Sequence, residues 1–309
     1  MNDNRLETLY NNLTQAIRDE CNESVTVAFS GGIDSTLVAF IANKYCNVEL
    51  IAVGVTGSHD LEAAKSAAKL IGMDIKIIEI NETEMVDEGL EMQKTVDLSG
   101  IEVEFMLPFW IAAKNTTNSV LMCGQGADEL FGGYARFRKE NAKKDLSREV
   151  KDLIERIPER EEKISQTFNL KLSCPYLNKN VIRAAETYDV DERIGEVGKE
   201  VLRELAIEFG LPEEIANRKK KAAQYGSGSQ RAIKNIIKHK IEFLIDFESE
   251  DIARAIVKAT EPENSGWVDT TIMKNQVKAI VKAKNLGSLR EAAEDFMACV
   301  SVAEKVTKN

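Results

Sequence analysis

Two short stretches carry residue types that could do chemistry at a fixed spacing: SGGIDS at 30–35 and GQGADELFGG at 124–133. The first offers the hydroxyls of Ser30 and Ser35, the approachable backbone of Gly31 and Gly32, and the Asp34 carboxylate where a helix must begin. Amides and hydroxyls at a helix start suit a phosphate or pyrophosphate. A carboxylate beside phosphates makes electrostatic sense when a cation such as Mg²⁺ lies between them. No Lys follows the glycines, so this is not the GxxxxGK[ST] loop, nor is it GxGxxG. The second stretch repeats the logic, with Gly124 and Gly126 for a tight turn, then Asp128 and Glu129. Asp34 and Asp128 are therefore expected to share one Mg²⁺. Each stretch taken alone also reads as an ordinary turn, the first capped by Asp34 or Ser35.

Elements must bring these loops together. The runs VTVAF (25–29), ELIAVGV (49–55), DIKIIEI (74–80) and SVLMCG (119–124) read as buried strands. Helical spacing separates them, as in DLEAAKSAAKLIG at 60–72. That alternation predicts an α/β fold, a Rossmann-like parallel sheet whose ligands bind beyond the carboxyl ends of the strands. After residue 138 the strand signals fade. KEVLRELAIEFGLP (199–212) and the segments 229–247, 249–260, 268–284 and 287–304 keep helical spacing. The expected organisation is a nucleotide-binding domain over 1–138 and a mostly helical C-terminal region over 139–309 that completes the site.

The chain has 309 residues and a formal charge of −10, which disfavours a broad nucleic-acid-coating surface. Residues 218–240 run against that trend: Arg218, Lys219, Lys220, Lys221, Arg231, Lys234, Lys238 and Lys240 occur there with no acid. Such a window reads either as a solvated face or as a surface meant for an anion. Five cysteines without a CxxC pair, and only two histidines, argue against structural zinc and a disulfide scaffold and fit a reducing, cytoplasmic setting. The N-terminus is polar and charged, and no apolar run reaches the ~20 residues of a membrane span.

SGGIDS resembles the pyrophosphate loop of the adenylating ATP pyrophosphatases, and GQGADELFGGY is similar to a signature of the asparagine synthetase C-terminal domain and its relatives. AVGVTGSHDLEAA (52–64) and GKEVLRELAIEFGLPEEIANRKKKAAQYGSG (198–228) fit the same family, so the resemblance covers residues 25 to about 228. It implies an adenine nucleotide α-hydrolase type of sheet and an ATP-dependent ligase. That enzyme adenylates a carboxylate, aspartate or a related acid, releases pyrophosphate, and forms an amide with ammonia or an amine. The implied residues are Ser30, Gly31, Gly32, Asp34 and Ser35 on the pyrophosphate, and Asp34 and Asp128 on Mg²⁺. Ala28, Val53, Cys123 and Gly124 would lie around the adenosine. Lys220 would steady the adenylation transition state, with Lys199 and Arg203 assisting from the preceding helix.

Three departures bear on the acceptor chemistry. Gln125 stands where the family usually has Glu, which removes a general base. Lys171, Ser173 and Asn178 replace the family's Glu, Arg and Asp in the Glu-x-Arg-x-Pro-Phe-Leu-Asp stretch. The first strand begins close to the N-terminus, and residue 2 is Asn where glutamine-using relatives expose a Cys nucleophile. The expectation is therefore a stand-alone form fed by free ammonia, a substrate amine or a separate glutaminase subunit, with self-association as a further partner. Two rival readings are a tRNA-modifying adenylating enzyme on the same fold and a non-catalytic nucleotide-binding relative. A sulfur-transferring enzyme would call for paired reactive cysteines, and the sequence shows no such pair.

Overall fold

The computed structural model describes residues 4–96, 98, 100–138, 146–157, 160–218, 239–264, 268–283 and 286–307. The chain divides into two compact units, Met1–Ala232 and Ile233–Asn309. The division therefore does not fall at 138, because the helices after that point pack into the first unit. Lys220 and most of the basic window lie outside the described residues.

The first unit is built on strands β1 (Ser24–Ala28), β2 (Asn47–Val55), β3 (Ile75–Ile80), β4 (Val120–Met122) and β5 (Lys171–Ser173). Its helices up to β4 are α1 (Asn4–Arg18), α2 (Ile33–Ala42), α3 (His59–Leu70), α4 (Glu82–Thr95) and α5 (Gly100–Asn115). After β4 come α6 (Ala127–Phe131), α7 (Leu146–Arg156), α8 (Glu161–Thr167), α9 (Lys179–Ala185), α10 (Val190–Ile194), α11 (Glu200–Glu208) and α12 (Glu213–Ala216). The five strands form one parallel sheet in the order β3-β2-β1-β4-β5. This is the expected α/β architecture. β5 is a strand that the sequence pattern missed, since three residues are too few to show a period.

Strand order reverses at β1, whose neighbours are β2 on one side and β4 on the other. A crevice opens at such a reversal because the loops leaving β1 and β4 diverge. Both chemistry-bearing loops leave the sheet there. α1 presents Leu6, Leu9, Leu13, Ala16 and Ile17 to the core at helical spacing, and α2 is buried almost all round. These meet Val25 and Val27 of β1 and Leu202 and Leu205 of α11 in one apolar cluster. The first residue of the α2 helix thus has little freedom to shift.

The second unit contains β6 (His239–Asp246), α13 (Glu250–Asn264), β7 (Val268–Met273), β8 (Gln276–Ala283) and α14 (Leu286–Thr307). Its sheet is antiparallel in the order β6-β8-β7. Helical spacing is confirmed at 249–260 and 287–304, but 239–246 and 268–283 are strands; residues 229–238 lie outside the described residues. The misreading has a definite cause. Ile241, Leu244 and Ile245, and likewise Val277, Ile280 and Val281, fit an i, i+3, i+4 pattern while also fitting a strand with an apolar residue on its outer face. The structure decides: Val277, Ala279 and Val281 are buried in alternation, whereas Lys278 and Lys282 form cross-strand ion pairs with Glu242 and Asp269. Among the described residues no helix is long and apolar enough to cross a membrane.

The alternation gives a test. Val281→Lys, which puts a charge in the core, should destabilise the second unit by about 3 kcal/mol or more. Lys282→Val, one residue on and facing out, should change stability by less than about 1 kcal/mol. Hydrogen exchange of the β6, β7 and β8 amides reads both; equal effects would contradict the strand assignment.

Candidate active site

β1 ends at Ala28, and the chain turns through Ser30–Gly31–Gly32 into α2. Gly31 has φ +68, and a Cβ there would lie 2.6 Å from the Ala63 carbonyl oxygen and 2.7 Å from Ala64 Cα. Only glycine lets the loop press so closely on α3. Gly32 occupies the N-cap without a side-chain cap. The Ser35 hydroxyl accepts from the Ser30 N–H at 3.2 Å and lies 3.2 Å from the Ser30 hydroxyl. The two serines thus frame the start of the helix, where unpaired backbone N–H groups favour an anion.

Asp34 is buried in the first turn of α2, and the hydroxyl of the fully buried Tyr176 donates to its carbonyl at 3.1 Å. Gly124 lets the end of β4 approach this turn, since a Cβ there would sit 2.8 Å from Asp34 Cβ. Asp128 follows on α6. Between the two carboxylates lies Lys199, whose Nζ is 2.5 Å from Asp34 Oδ1 and 2.6 Å from Asp128 Oδ1. Lys199 is only 3% exposed. It adopts a left-handed backbone, φ 61 and ψ 36, immediately before α11. Its N–H donates to the Phe131 carbonyl at 3.2 Å. A Cβ on Gly133 would fall 2.0 Å from Asp128 Oδ1 and 2.3 Å from Lys199 Cε, so that glycine makes the space through which the lysine reaches.

These residues border a cavity of about 190 Å³. Ala28, Ser30, Asp34, Ser35, Val53, Cys123, Gly124 and Asp128, all singled out in the sequence, line it. Gly31 and Gly32 form the loop behind it, and Lys199 reaches the two aspartates. Phe105, Pro108, Phe109 and Ala112 of α5 supply an apolar wall that no motif announced. Glu129 and Tyr134 also line the cavity, with the Tyr134 hydroxyl donating to Glu129 Oε1 at 2.8 Å. Burial, and then the neighbouring Asp128 charge, raise the Glu129 carboxyl above its ordinary range. Gln125 is on the lining as well.

Other predicted residues have different duties. Arg203 donates to the carbonyls of Gly198 and Ala216, securing the turn before Lys199 and the end of α12. Lys171 makes a surface ion pair with Glu20 at 2.6 Å, and Asn178 caps α9 by accepting from the Asn180 N–H. Arg218, the first cation of the basic window, donates to the Gly31 and Ala63 carbonyls at 3.4 and 3.1 Å. That window therefore begins against the SGGIDS loop. No CxxC pair occurs in the sequence, yet Cys123 and Cys174, at the ends of neighbouring strands, have their sulfurs 3.5 Å apart. Sequence separation hid this contact. The hydrogen bond to Cys123, together with burial, pushes the Cys174 thiol well above its usual range, which leaves it protonated and a poor nucleophile.

Comparison with known proteins now decides the family, because the asparagine synthase profile matches residues 8–156 and 140–279. The chain belongs to the asparagine synthase family. It is 31% identical over 264 residues to a putative glutamine-hydrolyzing asparagine synthetase of Methanocaldococcus jannaschii, covering 70% of this chain and 48% of that protein. It is 29% identical over 273 residues to the glutamine-hydrolyzing asparagine synthetase of Mus musculus, covering 79% of this chain and 48% of that one. It thus spans about half the length of these two curated relatives. Among solved structures, NMN synthetase from Francisella tularensis is similar at a TM-score of 0.39 and 13% identity, over 75% of this chain and 84% of that one.

Gly133→Ala should cost about 1–3 kcal/mol, because its Cβ overlaps the buried ion pair; Gly32→Ala, with no heavy atom closer than 3.5 Å, should be near neutral by urea unfolding. Glu129 binds its proton more tightly folded than unfolded, so its contribution to stability is full below the ordinary carboxyl pKa and is lost as pH rises through the raised one. Glu129→Gln should therefore gain stability relative to the unmodified chain as pH rises from the ordinary carboxyl range through the raised value. A difference in stability that stays constant across that range would contradict the raised value.

Proposed function

We propose that this chain is an ATP-dependent, AMP-forming carbon–nitrogen ligase that adenylates aspartate or a related carboxylate and passes the acyl group to ammonia or an amine. The observation that carries the proposal is the meeting of Asp34, Lys199 and Asp128 beside the SGGIDS loop at the reversal of a parallel sheet. Two carboxylates converging on one ammonium converge equally well on a hard cation. Mg²⁺ is commonly held by one or two carboxylates together with substrate phosphates. Asp34 and Asp128 fit that requirement and would hold it, and the ion would neutralise charge on the phosphates.

The chain's own groups account for the rest. The α2 N-terminus and the Ser30 and Ser35 hydroxyls receive the pyrophosphate portion. The apolar stretch from Phe29, Ile51 and Val53 to Phe105 and Phe109 suits the adenine ring and keeps water from the activated acyl group. Lys199 and Lys220 supply positive charge as pyrophosphate leaves. Lys220 follows two residues after Arg218, whose guanidinium lies on the Gly31 carbonyl. Gln125 can orient the amine by hydrogen bonding but cannot take its proton, so amide formation should speed up with pH as free amine accumulates.

Carboxylate-dependent exchange of labelled pyrophosphate into ATP tests this reading across a panel that includes aspartate. Exchange with one carboxylate and no RNA is the expected result. Asp34→Asn and Asp128→Asn should each suppress it, and the double variant should be little worse than either. Lys220→Ala should lower exchange by roughly a hundredfold, Lys219→Ala and Lys221→Ala far less. No exchange with any carboxylate, or small equal effects of the three lysines together with loss of tRNA binding, would overturn it.

A further inference from the structure

Lys199 does more in this structure than a phosphate contact requires. Asp34 and Lys199 are buried, with side chains 6% and 4% exposed, and Asp128 is 18% exposed. Two carboxylates held so close and so dry would destabilise the fold strongly without a cation between them. The ammonium supplies that cation, and its place is fixed by several independent features. A non-glycine residue in left-handed backbone is retained only where its surroundings enforce it. Here the Lys199 N–H is bonded to Phe131, its carbonyl accepts from the Arg203 N–H at 2.9 Å, and the Arg203 side chain ties down Gly198. Gly133 gives up its Cβ to let the lysine stem pass.

We infer that Lys199 is a resident stand-in for the metal, occupying the shared position of Asp34 and Asp128 in the nucleotide-free chain and excluding free Mg²⁺ from it. The inference rests on the proposed reading of Asp34 and Asp128 as the metal-holding pair. Its physical content is a coupling. A divalent ion that arrives alone must displace the ammonium from the two carboxylates that hold it, so the gain of ion binding is offset by the loss of both ion pairs. A nucleotide supplies phosphate oxygens as a new partner for that ammonium. Mg²⁺ and nucleotide must then bind with positive coupling, which by linkage acts equally in both directions.

Equilibrium dialysis of the full chain with MgCl₂ alone, and with MgCl₂ plus a non-hydrolysable ATP analogue, measures this coupling directly. The unmodified chain should bind Mg²⁺ about tenfold or more tightly when the analogue is present. Lys199→Met should bind free Mg²⁺ about tenfold more tightly than the unmodified chain, and its thermal midpoint should rise on adding MgCl₂ while that of the unmodified chain stays put. Lys199→Arg keeps the charge and should keep the exclusion. A Lys199→Met chain that binds free Mg²⁺ no more tightly than the unmodified chain overturns the inference and leaves the ligase reading intact; failure of the analogue to bind under any Mg²⁺ concentration overturns the ligase reading itself. If Lys199→Met does not fold, Lys199→Gln makes the same comparison.

Discussion

One ammonium between two carboxylates organises this site. Lys199 is reached from α11, Asp34 from α2 and Asp128 from α6, so three elements that are distant in sequence meet at a single charge cluster. Buried charges tolerate little misplacement, because their attraction falls and their desolvation cost remains once the partners part. The surrounding packing reads as the means of keeping them together. The Tyr176 hydroxyl anchors the α2 turn through the Asp34 carbonyl, Arg193 reaches the Leu130 carbonyl at the end of α6, and Arg203 secures the turn from which Lys199 projects.

The same constraint explains why glycines punctuate both loops. Gly31 permits contact with α3, Gly124 permits contact between β4 and the α2 turn, and Gly133 leaves room for the lysine stem. Each is a place where a backbone or side chain comes closer than a Cβ would allow. The apolar wall from α5 then closes the cavity with residues that need only be large and non-polar.

Much of this was legible in the sequence, for physical reasons that differ from residue to residue. The SGGIDS loop announced itself because a β-branched run, a glycine pair and a carboxylate at a helix start occur together. Asp34 and Asp128 could be paired because each follows a strand end in what read as one parallel sheet. Lys199 was assigned to the site through family resemblance, yet its contact with both aspartates depends on a left-handed backbone and on Gly133, and neither has a periodic signature. The Cys123–Cys174 contact was invisible because β5 is too short to be seen. Ile280 and Leu244 made two strands look helical, since an apolar residue on the outer face of a strand completes a helical triplet by coincidence.

The order of strands in the second unit carries a consequence for how the chain is made. β8 is the central strand, and among the described residues β6 and β7 are each paired to it alone. During synthesis β6 leaves the ribosome first and α13 and β7 follow, but neither edge finds its partner until β8 has emerged. Until then two strands present open hydrogen-bonding edges of the kind that recruit foreign strands. Hairpin formation between β7 and β8 across Lys274 and Asn275 is local and fast, whereas β6 must wait for a contact some thirty residues on, Asp246 with Gln276 at the nearest. The nascent second unit is therefore most exposed to misassociation in the interval between translation of β6 and release of β8, and a chaperone acting on this protein would have most to do there.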